Sequence, residues 1–443
     1  MSTRPYPSYK DSGVEWLGRI PAQWRALKIK RLSLVKRGAS PRPIDDPIFF
    51  SENGAYAWVR ISDVTASTKY LLQTYERLSE LGRSKSVALE PGELFLSIAA
   101  TVGKPIITKI KCCIHDGFVY FVGLKENREF LYWLFSSGGL YQGLGKLGTQ
   151  LNLNTDTIGD IRIPIPPSDE QTAIASFLDQ ETGRIDALVK KKERLLELLR
   201  EKRTALISHA VTQGLDPNVP QKDSGIPWLG RIPAQWSLRT LKHTATFFGG
   251  GTPSKDNLAY WAGDIPWVSP KDMKDETVND SEDHITPDAI RASATRMIPS
   301  RSVLLVVRSG ILKHTIPVGI NSCPVALNQD MKAIVPKIGL DSNYLAWFFR
   351  GLQSVLLLEW RKAGATVESL EHDLIARTRI PCPDEGEQQA IAGFLDRETG
   401  KIDALVKKKE RLIERLREYR TALISAAVTG QIDVRNHAAA VGN

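Results

Sequence analysis

The side chains best placed for chemistry lie in polar loops that punctuate two otherwise unlike stretches of the chain. Arg60 and Ser62 follow a short apolar run, Ala57–Val59, and Lys271 follows the corresponding run, Pro266–Val268. Lys104 closes a Thr-Val-Gly-Lys turn after a second apolar run, and Arg308 and Lys313 flank a Ser-Gly turn in the same place. Lys146, Thr149 and Gln150, and their counterparts Lys362 and Thr366, precede a third run, with Thr149 and Thr366 in register. Lys255 lies in a TPSK loop after Gly249–Gly251, a run that reads as a flexible turn. Arg, Lys, Gln and hydroxyl side chains can bond phosphate oxygens or base edges. Such contacts recognise a polyanion without making or breaking a bond; the plainer reading of each is a solvated loop.

Residue patterns for bond-making chemistry are missing. No Asp/Asn/Ser-Pro-Pro-aromatic tetrapeptide of an amino-methyltransferase occurs, since Ile165–Ser168 reads IPPS. The Gly-Lys pairs at Gly103 and Gly145 lack both the glycine five residues upstream and the following Ser or Thr of a P-loop. The seven histidines never pair at i, i+4, and Cys112, Cys113, Cys323 and Cys382 form no C-x-x-C. No metal site is expected, and the cysteines read as reduced core thiols of a cytoplasmic protein. The start of the chain is polar, without a signal-peptide pattern, and no apolar run approaches a membrane span.

The net charge is +9 over 443 residues. Glu170–Asp216 carries eight basic and eight acidic residues, and Glu387–Asp433 nine and eight, so +8 lies elsewhere. An excess held outside these segments suits contact with phosphates by the remaining, globular parts.

Those two segments belong to an internal repeat. Lys10–Trp24 (KDSGVEWLGRIPAQW) and Lys222–Trp236 (KDSGIPWLGRIPAQW) agree at 13 of 15 positions, at an offset of 212. Glu170–Asp216 and Glu387–Asp433 agree at 36 of 47, at an offset of 217, whereas the middles, about 25–160 and 237–375, have diverged. One unit is used twice, with a variable centre.

The matched segments are helices by their apolar period. The stripe runs through Ile174, Leu178, Ile185, Leu188, Val189, Leu195, Leu196, Leu199, Leu206 and Ile207, and repeats at Ile391, Leu395, Ile402, Leu405, Val406, Leu412, Ile413, Leu416, Leu423 and Ile424. Ser168 with Gln171, and Asp384 with Glu387, suggest capping boxes; Gly214 and Gly430 suggest stops. Two such stripes most simply bury each other as an antiparallel coiled coil about a pseudo-two-fold axis, with the variable domains at opposite ends. The KKKER runs at Lys190 and Lys407 read as solvated face, and the tryptophans of WLGRIPAQW (Trp16, Trp24, Trp228, Trp236) as core. Short runs at 57–59, 93–98, 118–122, 266–268 and 303–307 read as strands and 130–135 and 344–349 as helices, giving mixed α/β variable domains. The divisions are 1–167 and 215–383 for the variable domains, 168–214 and 384–433 for the helices, and 434–443 for a disordered tail.

The variable–helix–variable–helix order, the helix starts IPIPPSDEQTAIASFLD and IPCPDEGEQQAIAGFLD, AWVRISDV and PWVSPKDM, and GGGTPSKDNLAYWAGDIPW (Gly249–Trp267) together resemble specificity subunits of type I restriction–modification enzymes along essentially the whole chain. The resemblance implies an α/β (α+β) fold: two mixed target-recognition domains separated by two long helices. It implies that each domain reads one half of a split, asymmetric site on double-stranded DNA. The helices would set the spacing and dock methylation subunits, two of them, with restriction subunits joining the complex. The chain itself would not be an enzyme and would carry no cofactor; S-adenosylmethionine, ATP and Mg²⁺ would sit on the partner subunits. A stand-alone DNA-binding regulator and a coiled-coil scaffold are the competing classes. The spacer stripe is assigned to Leu178, Ile185, Val189, Leu196, Leu199 and Leu206, and to Leu395, Ile402, Val406, Ile413, Leu416 and Leu423.

Overall fold

The computed structural model describes residues 4–99, 102–141, 146–147, 150–151, 153–362 and 367–435. The chain divides into two compact units. One comprises 1–193 and 411–443 and the other 194–410, so each holds a variable domain, the first part of one long helix and the last part of the other.

In the first unit, strands Leu34–Arg37, Phe118–Val122, Leu94–Ser97, Pro105–Thr108 and Tyr70–Leu71 line up in that order as a five-stranded sheet. A second sheet has the order Glu76–Leu78, Tyr56–Val59, Cys112–Ile114, Val87–Leu89. The second unit repeats the five-stranded order with Ala245–Gly249, Met331–Pro336, Val303–Val306, Val318–Asn321 and Thr277–Val278. Its smaller sheet keeps His284–Ile285, Ile265–Val268 and Ala326–Leu327. The mixed α/β expectation therefore holds, and two diverged sequences share one topology. The central strands, such as Leu94–Ser97 and Val303–Val306, are buried throughout, as strands covered on both faces must be.

The long helices span Ser168–Gln213 and Glu385–Val428. Each passes unbroken through its internal glycine, Gly183 or Gly400, and ends at a glycine in the left-handed region, Gly214 (φ 79°) or Gly430 (φ 76°). In the first unit they pair antiparallel through Arg420 with Asp186 (2.8 and 3.2 Å) and Arg417 with Glu193 (2.7 Å). In the second unit the repeat-related pairs are Arg203 with Asp403 (2.9 and 3.2 Å) and Arg200 with Glu410 (2.9 Å). All twelve spacer residues are buried or half-buried. The wider stripe is too generous: Leu188, Leu195, Leu405 and Leu412 are exposed, because an antiparallel pair covers a narrower seam than a globular core does.

The start of each helix is not the capping box expected at Ser168 and Gln171. Gln171 instead turns its amide outward from the helix, accepting from the Asn127 backbone N–H (2.9 Å) and donating to the Pro166 carbonyl (3.0 Å). Gln388 does the same with Asp341 (2.8 Å) and Pro383 (3.0 Å). At the second start Asp384 does accept from the Glu387 N–H (2.8 Å), but the Glu387 carboxylate is taken by the Trp236 indole N–H (2.9 Å). Glu170 receives Trp24 in the same way (3.0 Å), and Asp179 and Asp396 receive Trp133 and Trp347 (both 2.9 Å). The repeated Glu-Gln and Phe-Leu-Asp are thus a docking clamp: three polar side chains on one helical turn series hold each variable domain to its helix. Trp24 and Trp236 are fully buried, Trp16 and Trp228 partly. Of the expected tail, Val434 is buried and Arg435 bonds Asp433 (2.6 Å), so ordered packing runs past the helix; 436–443 lie outside the described residues.

Candidate nucleic-acid interface

Strand register gives a residue-by-residue equivalence between the two units. Arg37 pairs with Val119 where Gly249 pairs with Lys332, and Val59 pairs with Ile114 where Val268 pairs with Leu327. The loops leaving these strands come together. In the first unit Asp116 accepts from Ser40 Oγ (2.9 Å) and Arg42 Nη2 (3.2 Å), and its carbonyl from Arg37 Nε. Ile98 N–H reaches the Gly117 carbonyl (2.8 Å), and Val307 N–H the Asp330 carbonyl (2.8 Å) in the second unit. There Thr252 Oγ1 donates to Gln329 Oε1, the counterpart of Ser40 on Asp116. An open cleft of about 320 Å³ is lined by Pro270, Arg308, Ser309, Gln329, Asp330 and Val367.

Close backbone packing pins this loop end. A Cβ on Gly38 would lie 2.2 Å from the His115 carbonyl oxygen, and one on Gly250 1.9 Å from that of Asn328. Only glycine fits there. The Gly249–Gly251 run is therefore a packed joint at Gly250 and not the flexible turn expected; Gly251 also accepts from the Trp267 indole (2.9 Å). Burial and the neighbouring Arg60 and Arg37 charges push the His115 imidazole below its ordinary pKa, despite Asp116. Burial works to raise Asp116, but the Ser40 bond and the Arg37 and Arg42 charges outweigh it and hold the carboxyl below the usual range. Arg37 and Arg42 flank one anchored acid, Asp116, in the first unit, whereas Arg308, the Asp330 carboxylate and the neutral Gln329 amide line the cleft in the second.

The model of the type I restriction modification DNA specificity domain matches this chain twice, over residues 21–198 and 233–415. The chain belongs to that family. The specificity subunit of the Escherichia coli EcoR124I/EcoR124II enzyme is 37% identical over 183 residues, 41% of this chain and 45% of that one. The chain thus spans a little under half of that relative's length. The putative MjaX specificity subunit of Methanocaldococcus jannaschii aligns over 95% of this chain and 96% of its own at 22% identity. A solved chain from the type I R-M system, described for its complex assembly and conformational transition, superposes with a TM-score of 0.73 at 15% identity, covering 93% of this chain and 99% of that one. That likeness concerns the fold.

Within the two specificity domains the sequence-derived candidates fare unequally. Arg308 lines the cleft of the second unit, its side chain exposed; Lys255 is exposed on a loop and Lys313 at the end of the short 3-10 helix Gly310–Lys313 of the same unit. Lys362 is exposed, with its N–H on the Ser369 carbonyl (2.9 Å), and Arg308 bridges Ser369, so the two loops adjoin. Lys271 is held by Asp283 (2.9 Å) and Glu282 (3.1 Å), which raise its pKa. Arg60 is paired with Glu76, Nη2 to Oε1 at 3.1 Å, and Ser62 is exposed beside it. Lys104 is otherwise occupied: its ammonium donates to the Thr65 (3.1 Å) and Ser67 (2.7 Å) carbonyls at the end of the short Ile61–Ala66 helix, and burial lowers its pKa. Lys146 and Gln150 sit on the strands of a small hairpin, Lys146–Leu147 with Gln150–Leu151; Thr149 and Thr366 lie outside the described residues. Sequence reasoning misses Arg37, Arg42, Asp116, Thr252 and Gln329. Their signal is weak, because the offset between domains drifts from 212 at Gly38 and Gly250 to 209 at Trp58 and Trp267 and 213 at Asp116 and Gln329. Among the described residues no cluster of His, Cys, Asp or Glu is arranged for a metal, and no helix is long and apolar enough to cross a membrane.

Proposed function

We propose that this chain reads DNA for a type I restriction–modification complex, each unit recognising one half of a split, asymmetric site. The observation carrying this reading is a shared sheet topology and a glycine-pinned loop end in both units, with unlike polar groups displayed at equivalent positions. A common frame with different displayed groups fits two different base sequences. Lys255, Arg308, Lys313 and Lys362 supply phosphate contacts, in keeping with the +8 charge held outside the helices. Lys146, Thr149, Gln150 and Thr366 are proposed as further DNA contacts on the sequence pattern alone. The two half-sites act through one tethered chain, so modest contacts in each combine into firm binding.

The chain contributes recognition and spacing, not catalysis. Methylation subunits, two by the internal repeat, dock on the exposed leucines, since each unit presents one copy of each repeat pair: Leu188 and Leu412 in the first, Leu405 and Leu195 in the second. Restriction subunits join through the complex, with S-adenosylmethionine, ATP and Mg²⁺ bound by the partners, in the cytoplasm. The test is to purify the chain alone and with the methylation subunit recovered alongside it, then supply DNA and S-adenosylmethionine. Methyl transfer is expected only with the partner; transfer by the pure chain would overturn the reading.

A further inference from the structure

We infer that Asp116 and Gln329 are the equivalent base-reading positions of the two units, each presented by the hydroxyl next to it; this rests on the proposed DNA-reading function. Both follow the strand that pairs with the Trp-Val strand, one residue beyond the carbonyl that packs on Gly38 or Gly250. Both accept from a hydroxyl on the glycine loop, Ser40 or Thr252. The hydrogen bond is kept while the accepting group changes from carboxylate to amide. A purely structural bond would not need that change, and a phosphate-facing site would not place a carboxylate at the centre of an arginine cluster.

Chemistry then assigns a base class to each position. Asp116 is acceptor-only, with lone pairs left over from Ser40 and Arg42, and suits the exocyclic amino group of cytosine or adenine in the major groove. Gln329 is exposed, its oxygen taken by Thr252 and its amide nitrogen 3.4 Å from Asp330 Oδ2, a contact weak enough to exchange. Its donor-plus-acceptor amide suits the N6 and N7 edge of adenine. The rigid joints at Gly38 and Gly250 fix where each group points before DNA arrives.

The experiment selects bound sequences from a random duplex library with the full-length chain co-purified with its methylation partner, as wild type, Asp116→Asn and Gln329→Glu. Asn at 116 adds a donor and Glu at 329 removes one, with little change of volume. We expect Asp116→Asn to relax or switch one base position in one half-site, by about 5- to 150-fold in discrimination, with the other half unchanged. Gln329→Glu should do so in the other half, so each variant's untouched half reports a folded scaffold. A wild type that enriches no split motif would defeat the function proposed above, not this assignment. Variants that enrich the unaltered motif overturn the assignment. A variant that enriches nothing is titrated against the wild-type site and a set with each base replaced. Weakening confined to one base position supports the assignment; equal weakening on every duplex, unrelated DNA included, overturns it.

Discussion

The indole N–H groups of Trp24 and Trp236 are buried donors whose partners, Glu170 and Glu387, lie about 150 residues away in sequence. Removing such an acceptor leaves a desolvated donor unpaired, at a cost of about 1–3 kcal/mol. Glu387→Ala should lower stability by that amount in urea denaturation, and Glu387→Gln, which keeps an acceptor, by less. At the loop end, Arg308→Ala should weaken binding to all DNA sequences alike and reduce the slope of log K against log salt by about one; an unchanged slope in titrations at several salt concentrations would place Arg308 away from phosphate. The tryptophans were legible as core from their repetition, because a group that reads DNA has no reason to be identical in both halves. Asp116 and Gln329 were not legible. Their equivalence is a property of strand register, and short insertions on either side shift the numbering without shifting the register. Lys104 shows the converse: a lysine in a polar turn looks free in sequence, yet two carbonyls at a helix end engage it.

Among the elements, the long helices were the most readable, because a stripe sustained over so many turns admits one structure and a buried mate. Their faces were less so. A period of three and four marks every residue near the seam, and only the antiparallel mate decides that Leu196 is buried while Leu195 is exposed. The interhelical pairs differ in kind despite their similar spacing. Arg203 is three-quarters buried, bonds Asp403 and also Glu276 (2.8 Å), and lies over the Trp347 ring at 5.8 Å. Arg200 is mostly exposed and meets Glu410. Arg203→Ala should therefore cost about 1.5–3 kcal/mol and Arg200→Ala less than about 1 kcal/mol. Thermal melts at low and high salt separate them, since only the exposed pair should fade with screening. The short strands of the variable domains were recovered by position and type, whereas the two-sheet topology was not, since antiparallel and parallel neighbours look alike in a buried run.

On the scale of the whole chain, repetition carries the logic: one frame used twice, and a helix of 46 residues whose first part belongs to one unit and whose last part to the other. Four helix-forming residues inserted after Leu199 would lengthen it by about 6 Å and rotate the helix beyond the insertion by about 40°. That rise is just under two base pairs of DNA, which turn by about 70°. The recognised half-sites should then stand one or two base pairs further apart, as methylation mapping would show; an active variant with unchanged spacing would mean the helix does not set the gap. The central claim, that each unit independently reads its own half of a split site, is tested most directly by methylome sequencing of cells that make the complex with residues 25–160 replaced by the matching stretch of another family member. The account predicts one discontinuous motif with unlike halves for the native chain, and, after the replacement, a change in one half with the other half intact. A contiguous palindrome in the native case, or a change in both halves after the replacement, would contradict it.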